Sequence, residues 1–329
     1  MPDVSMAPQV SVIIPVYNAS GFISRCCESL FSQTLQSIEY IFVDDGSSDE
    51  SLGIIKQVLD KYPSRHEQVV FVSYFDNQGV GVARNAGIKR ATGEYIIHCD
   101  SDDWVESTLY EKLYFRAKET NADVVTCGYF VDATDGTSIS QTPPLVNTNS
   151  FSFSISPQTG ALWTKLIRRV FLEKKHLEVP LEINWGEDLC LSLEVFLLSR
   201  NTQSINEILY HHVLNEDSLT YTVSKSQCLD LVKCGTVVES FLNEHNLMDK
   251  YSSQLNWLKF QLKQYLLIFP QTRNIHLWRS IYPESHLNIL QYETMAYLKV
   301  SAWMIAHRFD TLALLLLRLR DILSNFKNK

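Results

Sequence analysis

The sequence predicts an α/β protein built on a mostly parallel sheet and followed by a C-terminal helical region. Three observations carry this. Short β-branched apolar runs recur through the first 130 residues, each leads into a stretch with helical spacing, and an Asp-, Asn- or Gly-rich cluster separates run from helix.

The first run, "VSVIIPV" at 10–16, reads as a strand buried on both faces. In the following "NASGFISRCCESLFSQT", Asn18 or Ser20 offers an N-cap, and Phe22, Cys26, Leu30 and Phe31 recur at helical spacing. The unit then repeats. "EYIFVDD" precedes a helix over about 49–61, "VVFVSYF" a helix over about 80–91, and "GEYIIHC" a helix over about 106–120, after which "ADVVTCG" reads as a further strand. In parallel sheets ligands bind beyond the carboxyl ends of the strands, so "YNAS", "DDGSSD", "DNQG" and "DSDDW" should converge on one crevice.

Residues 132–158, rich in Ser, Thr, Pro, Asn and Gly, read as a long loop or lid. "GALWTKLIRRVFLEKK", "INWGEDLCLSLEVFLLS" and the strand-like "QSINEILYHHV" follow, and from about 224 the pattern is helical. This suggests two domains, 1–222 and 223–329.

Of 329 residues 45% are hydrophobic and 20% charged, with a formal net charge of −8, which speaks against general nucleic-acid binding because that requires an extended basic face. Seven cysteines without a C-x-x-C pair read as reduced core residues of a cytoplasmic protein. No secretion signal is expected at the N-terminus, and "LALLLL" is far shorter than the roughly 20 apolar residues of a membrane span. In "RFDTLALLLLRLRDILSNFKNK" the basic residues Arg308, Arg318, Arg320, Lys327 and Lys329 surround an apolar helix, equally compatible with peripheral contact with an anionic membrane and with packing or homo-oligomerisation.

The densest chemistry lies in "HCDSDDWVES". Asp100, Asp102 and Asp103 together can hold a hard cation such as Mg²⁺ or Mn²⁺, and Asp102 or Asp103 can equally cap the next helix. "VDDGSSDES" has the same two readings: Asp44 and Asp45 as acceptors for a base or ribose, or Ser47, Ser48 or Asp49 as an N-cap.

As an ordered set, "SVIIPVYNAS", "FVDDGSSDES", "DNQGVGVARNAG", "GEYIIHCDSDDW" and "WGEDLCLS" strongly resemble the family-2 nucleotide-sugar glycosyltransferases of the GT-A fold, over roughly residues 9–220. The resemblance implies that Pro15, Val16 and Tyr17 line the base pocket, with Tyr17 stacking on a nucleobase, usually uracil. Asp45 would bond the base with Asp44 in support. Asn77 and Gly79 would lie near the nucleotide, and Arg84 would reach the diphosphate or the acids of the DxD pattern, Asp100 and Asp102. Asp102 would hold the metal, with Asp103 as an additional acid, and Asp100 and Ser101 would contact the donor. Asp188 would be the general base of an inverting transfer from a UDP-sugar or similar donor to a glycan or polyprenyl-linked acceptor. Trp163 could pack under a sugar and Lys165 meet phosphate, and His211 or His212 would approach the metal or diphosphate, although histidine departs from the family's usual aromatic or arginine there.

Two other classes compete. A nucleotidyltransferase would want a Gly-rich basic loop after the first strand, which "PVYNASGF" lacks, and a non-catalytic sugar-nucleotide-binding module would not need Asp188.

Overall fold

The computed structural model describes residues 7–143, 153–215 and 223–327. The chain divides into two compact units, one of Met1–Phe151 with Ser156–Ser218, the other of Ser152–Ile155 with Leu219–Lys329.

In the first unit the strands are β1 (Val10–Val16), β2 (Ile38–Asp44), β3 (Val69–Ser73), β4 (Tyr95–His98), β5 (Trp104–Val105), β6 (Val124–Asp132), β7 (Ser138–Gln141), β8 (Lys165–Arg168) and β9 (Thr202–Val213). The helices are α1 (Ile23–Phe31), α2 (Ser51–Leu59), α3 (Val80–Arg90), α4 (Leu109–Thr120), α5 (Pro157–Gly160), α6 (Arg169–Lys175) and α7 (Glu187–Leu198). The strands form one sheet in the order β3-β2-β1-β4-β8-β6-β9-β5, with β7 paired to β6.

The expected α/β class holds, and β3-β2-β1-β4 is parallel throughout. Beyond β4 the sheet is mixed: β8 runs antiparallel to β4 and β6, β9 parallel to β6, and β5 antiparallel to β9. Because β1 lies inside the parallel half, Val10, Val12, Ile13, Ile14 and Val16 are all fully buried, as the unbroken apolar run requires. Helix α3 settles close to β1 through Gly87, where an added Cβ would lie 2.2 Å from Ile13 Cγ2.

"TKLIRR" is strand β8 running into α6, its backbone bridging β4 and β6. One local expectation changes. Part of the 132–158 stretch is a β6–β7 hairpin with Gly136 at φ 85, and its residues 144–152 lie outside the described residues.

The second unit is helical: α8 (Lys225–Glu244), α9 (Met248–Ile268), α10 (Ile275–Ser280), α11 (Ala296–Ala306) and α12 (Asp310–Lys327). Helix α8 starts with a capping box in which the Ser224 and Gln227 side chains each bond the other's backbone N–H. All seven cysteines are free and buried. Among the described residues no helix is long and apolar enough to cross a membrane.

Candidate active site

The loops after β1, β2 and β3 are tied to one another by hydrogen bonds. Asn18, at φ 46, donates its N–H to Ser47 Oγ (3.1 Å) and accepts the Ser48 N–H at Oδ1 (2.9 Å), while Ser20 N–H reaches Asp49 Oδ2 (2.9 Å). Asn18, Ser20, Ser47 and Ser48 are therefore spent on loop closure, while Asp49 also accepts the first helical N–H of α2, that of Ser51, at 3.0 Å. Phe22 and Glu50 occupy the N-cap positions of α1 and α2, without side-chain bonds.

Asp45, expected to bond a base, accepts Gln78 N–H at Oδ1 (2.8 Å) and Gly79 N–H at Oδ2 (2.9 Å), which fixes the loop leading into α3. Gly46 permits this approach, since at φ 76 an added Cβ would lie 2.7 Å from the Asp76 carbonyl carbon. Asp44 is buried and accepts Ser47 N–H at 3.1 Å. Pro15 is partly buried and Asn77 exposed, and Gly79 sits at φ 97 as the N-cap of α3. Tyr17 stands open at the end of β1, 52% exposed, with its ring available for stacking. Val16 cannot line a pocket with its side chain, which is fully buried in the core; its carbonyl accepts Asp45 N–H at 2.9 Å.

The helix-cap reading of "DSDD" is excluded. Strand β5 intervenes, α4 begins at Leu109, and its N-cap is Thr108. The three acids instead divide by their partners. Asp103, expected at a metal, is 1% exposed and accepts Tyr210 Oη–H at Oδ2 (2.7 Å) and Val213 N–H at Oδ1 (2.8 Å), with His212 Nδ1 3.4 Å away. Its oxygens lock the loop to β9. Asp100 and Asp102 are less enclosed, as is Ser101 between them. Burial first, then the Asp103 and Asp100 carboxylates, push Asp102 up to about 7.

Asp102 Oδ2 accepts Asn215 Nδ2 at 3.0 Å, and the buried Asn215 Oδ1 has no hydrogen-bond partner among the described residues. Two carboxylates and an uncommitted amide oxygen are oxygen donors of the kind that a hard cation such as Mg²⁺ or Mn²⁺ takes. Among the described residues no group of three or more His, Cys, Asp and Glu side chains stands ready to hold one, so a ligand's own oxygens would have to complete the shell.

Buried Arg84 joins this loop to the start of α7. Its Nη2 donates to Asp100 Oδ1 at 3.0 Å and its Nη1 to Glu187 Oε1. Burial, opposed by the Arg84 charge, pushes Glu187 up to about 7. Asp188, next along the first turn, accepts only Leu189 N–H (2.7 Å) among the described residues, and burial raises it too, against the pull of Arg84. Arg84 thus occupies Asp100 and Glu187 and leaves the Asp188 carboxylate available.

Three residues fall elsewhere than expected. Lys165, expected at phosphate, is fully buried; its Nζ donates to the Ala161 and Gln158 carbonyls, and burial brings it down to about 7. Trp163 lies in the core, stacked on Tyr210 at 4.3 Å, not under a sugar. His211 is held between Trp104 (3.4 Å) and Phe130 (4.8 Å), its Nδ1 2.9 Å from Asp132 and its Nε2 3.2 Å from Glu106. Both ring nitrogens of His211 are therefore occupied, and it is His212 that faces the 100–103 loop, with Nδ1 3.4 Å from Asp103.

The sequence reading gave no role to Tyr210, Asn215, Glu187 or Arg25. Strand alternation carried a signal for Tyr210, because period two puts it on the same face as His212 and opposite His211. Arg25 belongs to a cleft of about 390 Å³ beside Asp102, lined also by Gly21, Phe22, Ser24, Glu28 and Val213.

A half-parallel α/β sheet with strand-end acids facing a Glu-Asp helix start has the architecture of a GT-A glycosyltransferase. Residues 11–174 match the model of glycosyl transferase family 2. The chain is 32% identical over 259 residues to the putative glycosyltransferase EpsH of Bacillus subtilis, covering 76% of this chain and 73% of that one. It is 30% identical over 314 residues to the cholesterol galactosyltransferase of Borreliella burgdorferi, covering 88% and 84%. S. aureus TarS 1–349 in complex with UDP-GlcNAc superposes with a TM-score of 0.66 at 19% identity, over 90% of this chain and 87% of that one, a likeness of fold. The protein belongs to glycosyl transferase family 2 and is a glycosyltransferase.

Proposed function

We propose that the protein is an inverting, metal-dependent glycosyltransferase that moves a sugar from a UDP-sugar to a hydroxyl of a glycan or lipid-linked acceptor in surface polysaccharide synthesis. The observation that carries this is Arg84 bridging Asp100, in the acidic loop, to Glu187, beside Asp188, which accepts only the Leu189 N–H among the described residues. The fold neighbour TarS was captured with UDP-GlcNAc, which supports a UDP donor.

In this reading Tyr17 stacks on the base, and Asp45 keeps the Gln78 and Gly79 loop positioned against the nucleotide. Asp100 and Asp102, with Asn215 Oδ1, would hold Mg²⁺ or Mn²⁺. When bound, that cation would offset the charge of the leaving diphosphate. Arg84 keeps Asp100 in place, and its planar fork suits two carboxylates at once. Asp188 takes the acceptor hydroxyl proton onto its carboxylate as the oxygen attacks the anomeric carbon, and direct displacement inverts that carbon. Burial raises its proton affinity, which makes it a stronger base than an ordinary carboxylate.

The test is a panel of UDP- and GDP-sugars, each with EDTA or Mn²⁺, scored for hydrolysis and transfer. A UDP-sugar turned over only with metal is the expected result. Turnover of no sugar nucleotide, or turnover unaffected by EDTA, overturns the reading, and release of pyrophosphate from a nucleoside triphosphate would replace it with nucleotidyl transfer.

A further inference from the structure

Helix α12 turns an apolar face to solvent. Leu312, Leu315, Leu319, Ile322 and Leu323 are 49–64% exposed, while Ala313 and Leu317 carry its packing. At 3.6 residues per turn the five exposed side chains fall within an arc of about 100°. Arg318 borders that arc on one side and Arg320 on the other, the latter lying over the Tyr297 ring at 5.3 Å.

The acids of this stretch face away from the arc. Asp310 pairs with Arg279 of α10, and Asp321 pairs with Arg273 at 2.9 Å and with Arg320 Nη1 at 3.6 Å. From Thr311 to Leu323 the only acid is Asp321, so the exposed side of the helix carries arginine and no carboxylate. The positive charge beside the stripe is thus that of Arg318, on a chain whose formal net charge is −8.

We infer that α12 is a membrane-surface helix whose apolar stripe enters the headgroup and acyl boundary of an anionic lipid leaflet. The length and charge of the stripe choose this occupant over a second copy of the chain. Five half-exposed aliphatic side chains present on the order of 450 Å², well short of the roughly 800 Å² per partner of a stable dimer. Paired stripes would also bring the Arg318 side chains of two copies together with no acid on either stripe to answer them. Anionic headgroups would answer them, and arginines can extend from the edges of a buried apolar stripe to reach phosphate.

The intact chain would be sedimented with vesicles of phosphatidylcholine alone and of phosphatidylcholine with phosphatidylglycerol in equal parts. Binding to the anionic vesicles is expected, weakening at high salt and at least about ten-fold weaker on the neutral ones. Leu315→Asp with Leu319→Asp should abolish it, and Arg318→Glu should weaken it about ten-fold, with each variant still unfolding cooperatively because all three side chains lie at the surface. No binding by the parent chain, or undiminished binding by the double variant, overturns the inference. So does a vesicle-free dimer that the double variant dissociates, which would make the stripe a self-association surface.

Discussion

Tyr210 and Asp103 are joined by a 2.7 Å hydrogen bond from the phenol to the buried carboxylate, and the same phenol oxygen accepts the Asp100 N–H at 3.2 Å. One side chain of β9 therefore holds both ends of the acidic loop. Tyr210→Phe keeps the ring stacked on Trp163 and removes both bonds. A hydrogen bond to a charged group contributes about 1.5–3 kcal/mol, so denaturant unfolding should show a loss of that size. Transfer activity should fall as well, because Asp100 loses its backbone anchor. An unchanged unfolding midpoint would show that the loop holds its shape without β9.

The first four strands and their loops were legible because a parallel sheet imposes its own pattern: the inner strands β1, β2 and β4 have no solvated face, so they are largely apolar runs, the edge strand β3 keeps a β-branched run although it is partly exposed, and the loops stand out in composition against them. The Asp100–Asp103 cluster stood out for the same reason, whereas Asp188 was singled out only through the resemblance of "WGEDLCLS" to the family's Glu-Asp motif. The division of labour among the acids was not, since it depends on register across residues far apart in the chain. Only the pairing of Trp104 with His211 and Val105 with Tyr210 brings Asp103 under the phenol. Lys165 and Trp163 misled because a basic and an aromatic residue look the same in sequence whether they meet a ligand or close a core. The backbone pairing of β8 with β4 and β6 decided it.

Arg84→Lys tests whether one cation must serve two acids. Lysine keeps the charge but has no planar fork, so it can satisfy Asp100 or Glu187 and not both with the same geometry. Leaving one buried acid unpaired costs about 3–5 kcal/mol, and the variant should be less stable by a sizeable part of that. The kcat should fall further than the KM for donor rises if Arg84 acts by positioning Asp100 rather than by binding the sugar. Equal stability in the two proteins would mean that Glu187 is held without the arginine.

Asp188→Asn preserves the shape of the α7 first turn and the Leu189 N–H contact, since the amide oxygen still accepts. General-base catalysis contributes about 10²–10⁴-fold, and kcat should drop by that factor. The affinity for UDP, measured by calorimetry with Mn²⁺, should not change. A variant that keeps its kcat removes Asp188 from the mechanism. One that loses UDP affinity instead would move it into the donor site.

Lys165 gives a stability prediction with a definite sign. Its proton affinity falls from the ordinary 10.5 to about 7, burial being the cause, with Asp188 pulling weakly the other way. Below about pH 7 the amine is charged in both the folded and the unfolded chain, so it adds no slope. Between about 7 and 10.5 the unfolded chain holds a proton that the folded chain has released, and stability must rise with pH across that window, by at most about 1.4 kcal/mol per pH unit. Lys263, brought down to about 7 by burial against the Ile281 and Tyr282 carbonyls, adds a slope of the same sign. Lys165→Met should flatten the rise between pH 7 and 10, and Lys165→Met with Lys263→Met should flatten it more. Donor KM should stay the same in the single variant, because the Lys165 amine is spent on the Ala161 and Gln158 carbonyls rather than on phosphate. A raised donor KM with an unaltered stability profile would return Lys165 to the phosphate role that its sequence context suggested.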